Sequence, residues 1–215
     1  MQRIACVSQK GGVGKSTLAR DIAVQFAANQ WEVRIADMDD RQTTSMVWQA
    51  NRAQFGHKPE VHVYGCATPE TALKVGGCDL VVFDGKPYSS PDTRKIAEVS
   101  DLIVIPSGPT RDDLDPQILL AHELTKVRIP TSRILFVINS IVSELDGLEA
   151  TSARQYVETA GYRVAQFMLP RRASYGQAHN IGKSISEVTA PSLRAQAIGV
   201  VSEIGNIIKE AQEAA

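Results

Sequence analysis

No stretch of eighteen consecutive apolar residues occurs in this 215-residue chain, which excludes a membrane-spanning helix. The opening Met1-Gln2-Arg3-Ile4-Ala5-Cys6-Val7-Ser8 turns polar too early for a secretory leader. Cysteine is scarce. Cys6, Cys66 and Cys78 make an odd number without C-x-x-C spacing, so they read as reduced thiols of a cytosolic protein rather than a disulfide framework or a zinc site. The four histidines (His57, His62, His122, His179) show no ligand spacing, and no structural metal site is expected. A G-x-S-x-G elbow and a Cys–His pairing cue are both missing, so nucleophilic catalysis has no support. Neither sign of charge dominates: 23 Lys and Arg against 24 Asp and Glu leave −1, and any nucleic-acid contact must come from a local patch. Aromatic residues are few, and Trp31 and Trp48 read as packing residues rather than stacking platforms. With no internal repeat, low-complexity tract or long linker, residues 1–215 read as a single domain. A hydrophobic share of 43% suits a packed core rather than disorder.

What the chain does contain is alternation. Short β-branched runs at Ile4–Ser8, Glu32–Ala36, Val61–Tyr64, Leu80–Phe83, Leu102–Ile105, Ile134–Ile138 and Arg163–Phe167 read as strands. Several are continuous apolar runs, as strands buried on both faces require. Between them lie helical patterns. Leu18, Ile22 and Phe26 recur every four residues, with Arg20, Gln25 and Asn29 facing elsewhere. The pattern predicts an α/β fold with a mainly parallel, twisted sheet, helices on both faces, and functional loops at the carboxyl ends of the strands. From Pro191 onward, Leu193, Ala197, Val201, Ile204 and Ile208 trace one helix face. That face lacks large aromatics and the helix ends acidic, so it reads as a packing face rather than a membrane anchor.

One segment carries chemistry. Gly11-Gly12-Val13-Gly14-Lys15-Ser16-Thr17 directly follows a strand and precedes a helix. It departs from G-x-x-x-x-G-K-[ST], because the first position of that pattern falls on Gln9. The physics of the loop survives: glycines let successive backbone N–H groups turn toward a polyphosphate, and the helix N-terminus adds favourable partial charge. Lys15 should reach the β- and γ-phosphates and the Ser16 hydroxyl should ligate Mg²⁺. Leu80-Val81-Val82-Phe83-Asp84 is an apolar strand ending in a hard oxygen ligand that can hold Mg²⁺ directly or through water. In Asp37-Met38-Asp39, alternation along a strand end would put both carboxylates on one side.

The run Lys10-Gly11-Gly12-Val13-Gly14-Lys15-Ser16 resembles the K-G-G-x-G-K-[ST] loop of the ParA/MinD family of deviant Walker A ATPases, in particular its short plasmid-partition members. The resemblance implies a P-loop NTPase-like fold, ATP and Mg²⁺ as cofactors, and an ATP-sandwich homodimer. Lys10 would cross the dimer interface to the partner's phosphates, a role akin to an arginine finger, worth roughly 10³–10⁵ in rate. Asp39 takes the place of the second aspartate of the family's switch I, which positions the attacking water and helps order the metal shell. The following Asp40-Arg41-Gln42 departs from the usual Pro-Gln, and Lys86 in Gly85-Lys86-Pro87 departs from the usual switch II. Asn139, ending Phe136-Val137-Ile138-Asn139, resembles the residue that helps recognise adenine. Pro170, in Leu169-Pro170-Arg171-Arg172, resembles the family's base-flanking proline. A lone Asn at a strand end is also a common turn residue. The implied set is Lys10, Lys15 and Asp39 for catalysis, Gly11 through Thr17 with Asn139 and Pro170 for nucleotide, and Ser16, Asp39 and Asp84 for the cation.

The family implies a partition or positioning ATPase in the cytoplasm, associated with the nucleoid. ATP would close the dimer, the dimer would bind DNA non-specifically, and a ParB-like or other cargo adaptor would stimulate release. The loop begins nine residues from the start, so no operator-reading segment is expected before it. A MinD-like membrane-associated factor, or a metabolic enzyme of the same fold such as a dethiobiotin-synthetase-like ligase or a nitrogenase-type reductase, is the alternative. No stable membrane association is expected. Between Arg163 and Lys209 six basic residues (Arg163, Arg171, Arg172, Lys183, Arg194, Lys209) face two acidic ones (Glu187, Glu203), a local excess that suits sequence-indifferent DNA contact, with Arg194 and Lys209 preferred.

Overall fold

Continuous apolar runs with no polar face have to be covered on both sides, and the chain folds accordingly. The structure, a computed structural model, describes residues 1–39, 43–74, 76–87, 91–142 and 147–213. Its strands are β1 (Gln2–Ser8), β2 (Val33–Asp37), β3 (His62–Gly65), β4 (Leu80–Pro87), β5 (Leu102–Ser107), β6 (Ile134–Ile141), β7 (Arg163–Val164) and β8 (Leu169–Pro170). Among the described residues they form one parallel sheet in the order β3-β2-β4-β1-β5-β6-β7, with β8 also paired to β6. β1 is therefore central, and its carboxyl end opens into the glycine-rich loop.

Side chains alternate between two apolar layers. Ile4, Cys6, Ile35, Val82, Val104 and Val137 face one layer with α1 (Lys15–Ala28), α2 (Thr44–Gln54), α7 (Ala173–Asn180) and α8 (Pro191–Glu213). Ala5, Val7, Ala36, Phe83, Ile105 and Phe136 face the other, covered by α3 (Pro69–Lys74), α4 (Pro91–Val99), α5 (Arg111–Lys126) and α6 (Gly147–Thr159). The stripe on α8 lies in the first layer: Ala197, Val201, Ile204 and Ile208 are buried there and Leu193 packs at its margin. No helix among the described residues is long and apolar enough to cross a membrane.

The run Arg163–Phe167 stops being strand after Val164. Ala165 still donates its N–H to the Phe136 carbonyl at 2.8 Å. The Gln166 N–H then goes to the Glu203 carboxylate at 2.7 Å, and the Arg154 guanidinium takes the carbonyls of Val164, Ala165 and Gln166 at 3.2, 2.6 and 3.0 Å. Side chains have claimed the ladder groups, so pairing ends and resumes only as the short β8.

Candidate phosphate and metal site

The loop after β1 depends on residues without side chains. Gly12 and Gly14 have φ of 75° and 99°, where an L side chain is strained. A Cβ on Gly14 would also sit 2.6 Å from Asn139 Nδ2. The loop delivers the chain into α1 at Lys15, whose ammonium is largely buried and donates to Ser8 Oγ at 3.0 Å and to the Lys10 carbonyl at 3.3 Å. Burial pushes its pKa below the ordinary lysine range, against the pull of the Asp84 carboxylate.

Around this loop lies a cavity of about 350 Å³ lined by Gly11, Gly12, Gly14, Lys15, Ser16 and Thr17, together with Asp39 and Asp84. Arg20, Thr44 and Gly85 complete its wall. Register explains the carboxylates: Asp37 of β2 lies directly beside Asp84 of β4, at the carboxyl edge. Asp84 is 2% exposed and accepts two hydroxyl protons, from Ser45 Oγ at 2.7 Å and from Ser16 Oγ at 3.0 Å. Burial drives its pKa up to about 6; the Asp37 charge adds to that rise, while the two hydroxyls and Arg20 oppose it. Asp37 is equally buried and serves as an anchor, accepting the N–H groups of Asp39 and Ser45, each at 3.1 Å. β2 ends at Asp37, so strand alternation does not extend to Asp39; the bond from its own N–H to Asp37 helps set Asp39 at the cavity. The Asp40-Arg41-Gln42 departure lies outside the described residues.

Val13 belongs to the loop but not to the cavity wall. Its side chain is buried, and its carbonyl accepts a hydrogen bond from Asn139 Nδ2. Asn139 and Pro170 line a second cavity of about 200 Å³, beside Arg171, Arg172, Tyr175 and His179. Gly12, Gly14 and Thr17 border both cavities, so the two adjoin across the loop. Asn139 Oδ1 and His179 Nε2 are buried without a hydrogen-bond partner among the described residues. Burial, helped by the Arg20 charge, holds the His179 imidazole neutral with a pKa of about 4.

Lys10 lines neither cavity. Its ammonium reaches back to the N-terminus of α5, donating to Asp113 Oδ1 at 2.8 Å and to the Asp112 carbonyl at 2.9 Å. Lys86 lies 4.0 Å from Asp92. The six basic residues counted from Arg163 onward do not form one patch. Arg171 and Arg172 border the second cavity, whereas Arg163 and Lys209 line cavities toward the opposite, amino edge of the sheet. Arg194 and Lys209 are both exposed on α8 but stand about 22 Å apart at 1.5 Å per residue.

Sequence spacing missed Arg20 and Ser45. The helical pattern turns Arg20 away from the apolar face of α1, yet it is 7% exposed, donates from Nε to Ser45 Oγ at 3.1 Å, and lies 5.8 Å from the centroid of the Trp48 ring. The only signal in the sequence was its position one turn after Ser16, which places both on one side of the helix.

Comparison with known proteins places this site in a family. The model for the CobQ/CobB/MinD/ParA nucleotide binding domain matches residues 4–185. The chromosome-partitioning ATPase Soj of Thermus thermophilus is 27% identical over 248 residues, covering all of this chain and 98% of that protein. The septum site-determining protein MinD complexed with Mg-ADP from Pyrococcus horikoshii OT3 superposes with a TM-score of 0.73 at 15% identity, over 98% of each chain. A Borrelia burgdorferi B31 protein assigned to plasmid partition, bound to AMPPNP, gives 0.74 at 14% identity over 95% of this chain and 98% of that one. These two likenesses show a shared fold.

Proposed function

The chain belongs to the CobQ/CobB/MinD/ParA nucleotide-binding family, and from that premise we propose that it is an ATP-dependent partition or positioning ATPase. The observation that carries the reading is the convergence of Lys15, Ser16, Asp39 and Asp84 on one cavity at the mouth of a glycine-rich loop, with Lys10 turned out of it. In this reading the loop N–H groups and the start of α1 hold the phosphates, and Lys15 meets the β- and γ-oxygens. Ser16, Asp84 and Asp39 offer hard oxygens to Mg²⁺. Two carboxylates and a hydroxyl at one cavity fit the donor set that Mg²⁺ takes from a protein when a phosphate is also bound. The cation supplies charge neutralisation at the phosphates; Asp39 orients the attacking water. Asn139 and Pro170 flank the base in the adjoining cavity.

Lys10 acts in trans on the phosphates of a second copy, which requires it to leave Asp113. The relatives named above support partition or positioning as the task, and a ParB-like or other cargo adaptor is the partner this reading assigns to it. Sequence-indifferent DNA contact falls first to Arg194 and Lys209, both exposed on α8, while Arg171 and Arg172 border the base cavity. The whole chain acts as a single domain. A membrane-docked reading has less support, because the apolar stripe of α8 is already buried. A reductase with interfacial cysteines has none: Cys6 and Cys66 are buried, and no cysteine lines the phosphate cavity.

The test is a set of three variants. Lys15→Ala is expected to lose nucleotide binding. Lys10→Ala should keep binding and lose ATP-dependent dimerisation, and Asp39→Ala should bind ATP yet hydrolyse it poorly. Filter binding of unrelated DNA fragments should strengthen with ATP and Mg²⁺ and weaken with salt by about 0.9 in log K per decade of salt for each phosphate neutralised. Equal binding loss in the two lysine variants would remove the trans role of Lys10.

A further inference from the structure

Asp84 is held from two sides. The Ser16 hydroxyl donates to Oδ1 at 3.0 Å from the glycine-rich loop, and the Ser45 hydroxyl donates to Oδ2 at 2.7 Å from the first turn of α2. A hydroxyl has one proton and two lone pairs, so the direction in which Ser45 gives its proton depends on what fills its acceptor side. Arg20 fills it: the Nε–H donates to Ser45 Oγ at 3.1 Å. A guanidinium has no acceptor and stays protonated, so this bond can run only one way, and it directs the Ser45 proton at Asp84. Ser45 is fully buried and its backbone N–H is fixed on Asp37, so the first turn of α2 is tied to both neighbouring carboxylates, Asp37 and Asp84.

We propose that Arg20 is a positioning residue for the divalent cation, acting through Ser45 to hold Asp84 toward Ser16 and to link the cation site to the start of α2. The inference rests on the reading of this cavity as a Mg²⁺–nucleotide site. A cation ligated there draws on the lone pairs of Ser16 Oγ and on one oxygen of Asp84. The Ser45 bond occupies the other oxygen and keeps the carboxylate from rotating away. The positive charge of Arg20 at the cavity wall also balances the paired carboxylates Asp37 and Asp84 before the cation arrives. Packing alone would not need this group, because a Met side chain would cover Trp48 as well. Among the described residues the oriented Nε–H donates to Ser45.

Binding of a fluorescent ADP analogue, titrated with Mg²⁺ after starting in EDTA, separates these roles. Arg20→Met and Ser45→Ala are each expected to raise the Mg²⁺ concentration for half-maximal effect ten-fold or more, and in Ser45→Ala, which removes no charge from the cavity wall, affinity in EDTA should change less than three-fold. The double variant should be no worse than the poorer single one, since both remove the same relay. Arg20→Lys keeps the charge without the Nε–H and should not restore the wild-type Mg²⁺ requirement. A shift below five-fold in Ser45→Ala, or additive losses in the double variant, would overturn the proposal. Ser45→Ala removes one buried oxygen and carries the test alone if Arg20→Met does not fold. Failure of the unaltered protein to bind the nucleotide at all would instead overturn the function on which the proposal rests.

Discussion

Lys10 cannot hold Asp113 of its own chain and a second chain's phosphates at once, so the ion pair is a competitor of the dimer. Its strength follows from its surroundings. The two side chains retain 38% and 28% exposure at 2.8 Å separation, which puts the pair in the solvent-screened class worth ~0.2–1 kcal/mol. At the upper figure Lys10 is free about 16% of the time, at the lower about 42%. Freeing it raises the available fraction about 6-fold or about 2.4-fold, and a symmetric dimer needs both lysines. Asp113→Asn should therefore tighten the ATP-state dimer by about 6- to 40-fold, and sedimentation velocity with AMPPNP and Mg²⁺ over a concentration series would read it. Asn keeps the volume and still accepts from Thr110, whose hydroxyl bonds the other Asp113 oxygen at 2.9 Å. Loss of a carboxylate from the first turn of α5 should cost ~0.3–1 kcal/mol of stability, a drop of ~1–4 °C in Tm. Adding Lys10→Ala should abolish the gain. An unchanged or weaker dimer in Asp113→Asn, with normal nucleotide affinity, would refute the competition.

Two further outcomes follow from buried groups outside the cavity. Asp21 is fully buried and accepts from the Ser186 N–H and Gln25 Nε2, both at 3.0 Å; burial, opposed by these bonds, raises its pKa to about 6. Between its unfolded value near 3.8 and about 6 the folded chain holds a proton that the unfolded chain has released, so stability falls as pH rises through that window and levels off above it. Asp21→Asn should match wild type near pH 4 and exceed it at pH 7.5 by up to ~3 kcal/mol in urea unfolding; a pH-independent difference would contradict the assignment. His179 titrates in the opposite sense, its depressed pKa adding stability as pH rises, and cancels from that difference because both chains carry it. Gly182→Ala forces a side chain at φ 77° onto the backbone of Arg52, and should cost ~3 kcal/mol or more, a fall of ~6–12 °C in Tm; an unmoved Tm would show that the α2 contact yields.

The sequence spoke most clearly where function is local in the chain. Gly11 through Thr17 sit on a strand–loop–helix junction, and Asp84 directly follows the apolar run Leu80–Phe83, so both could be read from adjacent residues, although β4 runs on past Asp84 to Pro87. Arg20 could not. Helical spacing relates it only to Ser16, one turn earlier, and sets it off the Leu18-Ile22-Phe26 face, whereas its burial is created by Ser45 and Trp48 on α2, 25 and 28 residues further along. The Lys10 partner, 103 residues away, was equally hidden. The Arg163–Phe167 run misled for the complementary reason: its β-branched start is real, but the groups that end it come from Arg154 and Glu203. Counting charge from Arg163 to Lys209 summed residues that the fold sends to opposite edges of the sheet.

The central position of β1 also bears on how the protein is made. Its two neighbours, β4 and β5, begin roughly seventy and ninety residues after it ends. At ~5–20 residues per second, a ribosome needs about 4–14 s to deliver β4 alone. Throughout that interval the strand that will carry the phosphate loop has neither flanking strand, and β2 lacks both of its partners until β3 is made and one of them thereafter. A run such as Ile4-Ala5-Cys6-Val7 is then an open template for any extended segment nearby. The nascent chain is consequently most exposed to mispairing before β4 emerges; β4 then joins β1 to β2 in a single event, and the other edge of β1 stays open until β5 follows.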